Sequence, residues 1–486
     1  MPFNLQLSSQ ESTEPLYRQI TKAIQEAILS RRLNVGERLP SVRELSELLN
    51  VSRATVSRSY EDLVSQGFIE TITGSGTFVC HKAAAASLNK MHKPTVSAEL
   101  RLSQFAQRLG LAQVRSELFK ALHYSAPAQH ELPLTRWHEL LNRCTRDQEA
   151  IFSYVSDEFG YLPLREALCG YLSRFAMVQC SPQNIAVTSS TETGLDGVCR
   201  LLLDEGDIVA VEDPGFTGAR ATFMLHGAQI LAIPVDEEGI SVSILRERGE
   251  QVKVVYVTPV HDPTGIVMSM DRRKELLAWA KETNAIIVED GFDSEFHFGA
   301  KPHSSLFSMD KYGIVVYRSN FWRTLFPMVR MGFMVIPDRL VALVRKLRSF
   351  VDRDVPVLEQ RALADLIAEG HFERHIKRSK AVYAKRRAAL IHALTREFGK
   401  EIQIPTVSPG MNLCVTFSSR FSPQAIETSA RQADLGLVGT TQHCIEEIRP
   451  NEFLIDFAHG QEEAFEAQVA HFARLLADAT SEEAQI

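Results

Sequence analysis

Hydrophobic positions follow three regimes along the chain, and each predicts a different kind of structure. Over residues 12–80, Leu16, Tyr17, Ile20, Ile24 and Ile28 recur at helical spacing and predict an amphipathic first helix, ended by Asn34-Val35-Gly36. Pro40-Ser41-Val42-Arg43-Glu44 opens a second helix, with Ser41 and Glu44 spaced as a capping box. After the short turn Asn50-Val51, Ser52 can cap a third helix that runs to about Gln66. Past Gly67, the stretches Phe68–Ile72 and Thr77–Val79 flank Thr73-Gly74-Ser75-Gly76, which predicts a hairpin. Helix, helix, short turn, helix, hairpin is the layout of a winged helix-turn-helix.

Residues 81–114 carry no coherent apolar face and read as a linker with room for a weak helix. From 115 to 486, helical segments alternate with the apolar runs Ile185–Val187, Ile208–Val211, Ile230–Ile233, Val252–Val257, Ala285–Val288, Ile314–Tyr317 and Phe333–Ile336. Near-continuous runs of this kind, separated by helices, predict an α/β sheet covered on both faces. Polar and Gly/Pro motifs follow directly after the runs, where open α/β sheets place ligands. The stretch from about 355 onward predicts helices plus a small sheet around Asn412–Phe417 and Phe453–Phe457, a separate α+β lobe.

Composition narrows the class. A chain of 486 residues exceeds one core, which implies two or three compact units. Apolar and charged shares of 45% and 23% are those of a globular protein. No window reaches ~18 uninterrupted apolar residues, so no membrane span is expected. Met1–Gln10 lacks the basic and apolar regions of a secretion signal, and the expected compartment is the cytoplasm. The seven cysteines are dispersed without a C-x-x-C pair, which reads as reduced thiols with no metal site. A net charge of −7 argues against general nucleic-acid affinity, though not against a small binding module on an acidic body.

The third helix turns Val56, Tyr60 and Leu63 inward and leaves Ser52, Arg53, Thr55, Arg58 and Ser59 to face a DNA groove. Arg43 and the wing glycines Gly74 and Gly76 are placed for phosphate contacts. The plainer alternative is three packed helices with solvated arginines. Bulk charge over 12–80 does not decide between the two. Placement favours DNA, since Arg38, Arg43, Arg53 and Arg58 cluster there with Glu44 and Glu47 the only acids between 38 and 58.

The segments Arg38–Leu45 and Val51–Val56 resemble the GntR-type winged helix. Beyond residue 115, the motifs Phe159–Glu166, Thr188–Leu195, Val211–Phe216, Thr258–Gly265, Val288–Phe296 and Arg323–Gly332 are similar, in order, to fold-type I aminotransferases that use pyridoxal phosphate. A GntR-type winged helix fused to such a body resembles the MocR subfamily of bacterial transcription regulators. That resemblance implies a homodimer that binds double-stranded operator DNA and senses a small-molecule effector.

The resemblance also implies a cofactor pocket. Ser190, Thr191 and Glu192 match the helix-opening turn that holds the phosphate, and Arg330 the arginine that grips it. Phe216 matches the aromatic that stacks on the pyridine ring, and Asp290 the carboxylate that pairs with its nitrogen. Singly, each has a plainer reading: a helix cap for Asp290, core for Phe216, a structural ion pair for Arg330. Asp262 and Phe292 stand where the family faces or bonds the ring oxygen. Most telling is Arg323, at the position of the lysine that forms the Schiff base. A guanidinium stays charged and is a very poor nucleophile, so covalent chemistry is not expected and any pyridoxal phosphate is expected to bind non-covalently. The substrate-carboxylate arginine also finds no match near Phe453–Ala458. Three readings therefore stand: an effector-sensing regulator without enzymatic activity, an aminotransferase with a DNA-binding appendage, and a ligand-independent regulator whose body is a dimer scaffold.

Overall fold

The computed structural model describes residues 15–30, 32–72, 74–80, 101–110, 127–128, 132–147, 157–291, 295–298, 304–352, 355–405 and 409–483. The chain divides into two compact units, Met1–Arg101 and Leu102–Ile486.

In the first unit, α1 (Leu16–Leu29), α2 (Val42–Leu49) and α3 (Arg53–Ser65) pack on a small antiparallel sheet. The sheet consists of β1 (Arg38–Leu39), β2 (Ile69–Ile72) and β3 (Gly76–Val79) in the order β1-β3-β2. Ile20, Ile24, Leu45, Val56 and Leu63 meet in one fully buried core. The Ser41/Glu44 capping box forms at the start of α2, and Ser52 caps α3 by accepting the Thr55 N–H. Asn50, at φ 51°, makes the left-handed turn between the two helices. Strand β1 is an addition to the predicted hairpin; two residues are too few to show a period.

The second unit begins inside the predicted linker. Helix Gln104–Leu109 is capped by Ser103, and its Arg108 donates to the Leu225 carbonyl at 3.4 Å and pairs with Glu205. Residues 81–100 and 111–114 of the linker lie outside the described residues.

All seven predicted runs become strands: β4 (Ile185–Thr188), β5 (Ile208–Asp213), β6 (Gln229–Asp236), β8 (Val252–Val257), β9 (Ile286–Asp290), β10 (Val315–Asn320) and β11 (Gly332–Val335). An edge strand, β7 (Gly239–Ile240), completes an eight-stranded sheet in the order β4-β11-β10-β9-β8-β5-β6-β7. The five strands from β10 to β6 pair in parallel, whereas β11 runs against both its neighbours. β5 has β6 on one side and β8 on the other, so the chain reverses its winding there, which is where such sheets open a crevice. The small lobe pairs β13 (Asn412–Phe417) with β15 (Glu452–Asp456), flanked by β12 (Ile402–Gln403) and β14 (Leu437–Gly439).

One helix, His371–Phe398, joins two of the hydrophobic cores of this unit. Phe372 and Ile376 near its start are buried with Tyr171 and Phe321; Tyr383, Leu390 and Leu394 are buried with Phe417, Phe453 and Phe472. Among the described residues, no helix is long and apolar enough to cross a membrane.

Past β9 the backbone passes directly under a side chain of β10. The Gly291 N–H donates to the Arg318 carbonyl at 2.8 Å, and a Cβ at Gly291 would overlap the Tyr317 phenol. Tyr317 is itself 2% exposed and has nowhere to retreat. Gly291→Ala is therefore expected to destabilise the body by about 1–3 kcal/mol through overpacking. Denaturant unfolding measures this, and an unchanged midpoint would mean the loop yields freely.

Candidate functional site

The exposed surface of the first unit gathers most of the residues assigned to DNA. Arg53 and Ala54 are exposed at the start of α3 beside the Ser52 cap. Ser52 and Thr55 also share a hydroxyl–hydroxyl bond of 2.7 Å. Arg38 is exposed on β1, and its Nε would lie 2.8 Å from a Cβ at Gly76, so its stem runs across the wing. Gly74 and Gly76 turn the wing at φ +80° and +123°. Thr73 lies outside the described residues.

Two assignments there change. Ser59 is fully buried, 3.0 Å from the Thr21 hydroxyl, and joins α3 to α1. It sits three residues after Val56 and four before Leu63, on the inward face of the helix. Arg58 is exposed, but its guanidinium lies 4.2 Å from the centre of the Tyr17 ring, on the α1 side. Arg43 also has a local partner, Glu47 at 3.1 Å, on a fully solvated face where such a pair contributes little.

In the second unit, a cavity of about 610 Å³ opens at the carboxyl ends of β4, β5, β9 and β10. Its lining includes Ser190, Thr191, Glu192, Phe216, Asp290, Arg323 and Arg330, so seven of the nine residues assigned to the pocket converge. Phe292 lies outside the described residues. Asp262 does not line the cavity. It is 8% exposed in the turn after β8, where its N–H donates to the Thr258 hydroxyl at 3.0 Å. That turn docks instead through His261, whose Nε2–H donates to the Pro214 carbonyl at 2.8 Å while Nδ1 accepts from Thr264 at 2.6 Å. Burial lowers the His261 pKa to about 3, which keeps this neutral tautomer.

The cavity grades from mouth to floor. Ser189, Glu192 and Arg330 are exposed at the mouth. Helix Thr191–Leu202 starts there, with Ser190 capping the Thr193 N–H, so its first-turn N–H groups and positive end face the space. Phe216 opens helix Thr217–Leu225 and forms one wall; Trp322 and Phe326, stacked at 3.7 Å, form another. Arg323, 6% exposed, sits on the one-turn helix Trp322–Leu325. Two bonds hold that turn: Trp322 N–H to Asn320 Oδ1 at 2.8 Å, and His375 Nε2–H to the Thr324 carbonyl at 2.7 Å.

At the floor, Asp290 meets two residues whose roles the sequence did not suggest. Its Oδ2 accepts from the Tyr256 hydroxyl, and Arg318, its register neighbour on β10, brings Nε to 3.6 Å. The carboxylate given a ring nitrogen as partner therefore already has a protein cation beside it. Arg318 hid in the sequence because β10 is covered on both faces, so no alternation separated it from Val315–Tyr317. Arg449, the nearest arginine to the sought substrate clamp, donates to the Val235 carbonyl at 3.2 Å and lies away from the cavity lining. Beneath the floor, burial raises the Glu212 carboxyl to a pKa of about 8, despite bonds from the Thr258 N–H and hydroxyl. Asp213 next to it accepts the N–H groups of Ile445, Glu446 and Glu447, tying a loop of the small lobe to β5.

An open, mostly parallel sheet with this crevice at its carboxyl edge and a small lobe behind it defines a fold-type I aminotransferase-like body. Joined to a winged helix, it places the chain in the MocR subfamily of GntR-type transcription regulators. Residues 119–428 match the family Aminotransferase class I and II, and residues 16–79 match the bacterial regulatory proteins of the gntR family. The chain is 32% identical over 427 residues to the probable rhizopine catabolism regulatory protein MocR of Rhizobium meliloti, covering 86% of this chain and 85% of that one. It is 31% identical over 403 residues to the HTH-type transcriptional regulator TauR of Rhodobacter capsulatus, covering 78% and 79%. Among solved structures, LysN, an α-aminoadipate aminotransferase from Thermus thermophilus complexed with N-(5'-phosphopyridoxyl)-L-leucine, superposes with a TM-score of 0.67. The identity is 26%, over 78% of this chain and all of that one.

Two outcomes are expected. Arg53→Ala should weaken binding to DNA selected from a random pool by the intact protein, by about 1–3 kcal/mol in gel shifts; undiminished binding would remove the start of α3 from the interface. The Glu212 proton is held in the folded chain at pH values where the unfolded chain has released it, so its contribution is complete below the ordinary carboxyl range and is lost as pH rises toward 8. Unfolding free energies of wild type and Glu212→Gln should therefore diverge between pH 5 and 8, wild type falling by up to about 1.4 kcal/mol per unit relative to the variant. Parallel curves would mean the carboxyl is ionised.

Proposed function

We propose that the chain is a DNA-binding regulator whose body dimerises and responds to a small anionic effector held in the cavity without a covalent bond. The observation that carries this reading is Arg323. It lines the cavity at 6% exposure, and among the described residues no lysine is in the lining. Attack on an aldehyde needs a neutral amine, and a guanidinium does not become one in water. The phosphate end of a pyridoxal phosphate fits Ser190, the start of helix Thr191–Leu202 and Arg330; the end that would be bonded covalently does not fit Arg323.

Dimerisation follows from the geometry of operators: one winged helix covers one half-site, and two linked modules raise affinity without new contacts. An effector then changes DNA binding only as far as it prefers one arrangement of the body over another. Arg53, Arg38 and the wing are the residues assigned to DNA, with Arg43 for phosphates. A working aminotransferase would need an amine in the cavity, and the described lining residues supply none.

The test is titration of the full-length protein with pyridoxal phosphate, followed by borohydride. Wild type is expected to release all cofactor on dialysis, whereas Arg323→Lys gains a visible-range band and an adduct at position 323. A borohydride-stable adduct on the wild-type chain would overturn the non-covalent reading.

A further inference from the structure

Arg318 is one of the buried cations of the cavity. It is 2% exposed, yet it lines the space. Its Nε and Nη1 are both buried without a hydrogen-bond acceptor. The nearest carboxylate oxygen, Asp290 Oδ2, stands 3.6 Å from Nε, close enough to balance charge and too far for a hydrogen bond. That oxygen is meanwhile engaged by the Tyr256 hydroxyl. Burial alone would lower the Arg318 pKa, but Asp290 and the groups of Tyr256 and Glu192 outweigh it, and the guanidinium remains charged.

This arrangement does not suit a protonated ring nitrogen. Such a nitrogen needs a carboxylate with charge to spare, and would bring a second cation up to Arg318 in a low-dielectric floor. A ligand acceptor at the floor would instead pair with a lining guanidinium whose Nε and Nη1 have no acceptor among the described residues. Buried donors are nearly always satisfied, so an acceptor on a ligand would complete this pair. The lining as a whole agrees: Arg318, Arg323 and Arg330 stand against Glu192 and Asp290.

We propose that Arg318 is the specificity-determining residue of the cavity: it replaces the ring nitrogen as the counter-charge of Asp290 and selects a planar ligand with a phosphate on one arm and a carboxylate at the opposite ring edge. The phosphate takes the mouth, at Ser190 and Arg330. The ring lies between Phe216 and the Trp322–Phe326 stack. The carboxylate accepts from Arg318, a charge-assisted pairing that a pyridine cannot offer. This assignment rests on the cavity being the effector site.

Calorimetric titration of the full-length protein with three probes tests it. They are 3-(phosphonooxymethyl)benzoate, pyridoxine 5'-phosphate, and benzyl phosphate, which has neither ring nitrogen nor carboxylate. The benzoate should bind wild type at least about tenfold more tightly than either of the others, the size expected of one hydrogen-bonded charge. Arg318→Met should abolish that preference. Because Arg318→Met strands Asp290, the pair Arg318→Met with Asp290→Asn, which removes both charges, serves as the second variant and should leave the benzoate and benzyl phosphate equal. Pyridoxine 5'-phosphate binding wild type as tightly as the benzoate, or a benzoate preference that survives in the double variant, would overturn the role of Arg318 while leaving the effector site standing. If none of the three binds, the effector site itself falls, and this inference with it.

Discussion

A buried charge has to be answered, and the floor of the cavity is organised by one such answer. Asp290 ends β9 and Arg318 lies beside it on β10, register partners of a parallel pair. Neither is tolerable alone at 6% and 2% exposure. Together they let two opposite charges stand side by side at the carboxyl edge of a sheet whose strands are largely apolar. Much of the surrounding geometry serves that pairing. Tyr256 reaches across from β8 to Asp290, and Gly291 lets the chain leave β9 without striking Tyr317. The turn carrying Arg323 then follows directly from β10, fastened by Asn320 and His375.

The same ancestry shows in what has been kept and what has been replaced. The crevice, the helix start at Ser190 and the anchoring of Asp213 to the small lobe are features of the scaffold, and they survive intact. Two arginines, Arg323 and Arg318, stand in the lining beside the acid Asp290. Scaffold and chemistry are separable in such a body, because the fold depends on buried β-branched packing while covalent reactivity depends on a single side chain.

Elements with strong local signals were legible from sequence. The seven β-branched runs became strands, and the Ser41/Glu44 box starts α2 because both partners lie within one turn. The convergence of Ser190, Phe216, Asp290, Arg323 and Arg330 was legible through ordered motifs. What escaped depends on partners distant in sequence or on pieces too short to show a period: β1 and β7, two residues each, and the docking of the weak linker helix, Gln104–Leu109, on Glu205 and the Leu225 carbonyl. Ser59 was misread because it is small and polar, though its spacing from Val56 and Leu63 pointed inward. Arg318 was unreadable for a different reason: its role exists only once β9 lies next to β10.

The 28-residue helix His371–Phe398 has a mechanical consequence. At 1.5 Å per residue it is a rod about 42 Å long, with one end embedded in the core beneath the large sheet and the other in the small lobe. A rod shared by two cores cannot bend cheaply, so the small lobe is geared to the floor beneath it and turns as one piece with that end. His375, close to the rod's origin, bonds the turn that carries Arg323, so that turn and the small lobe are fastened to one rigid element.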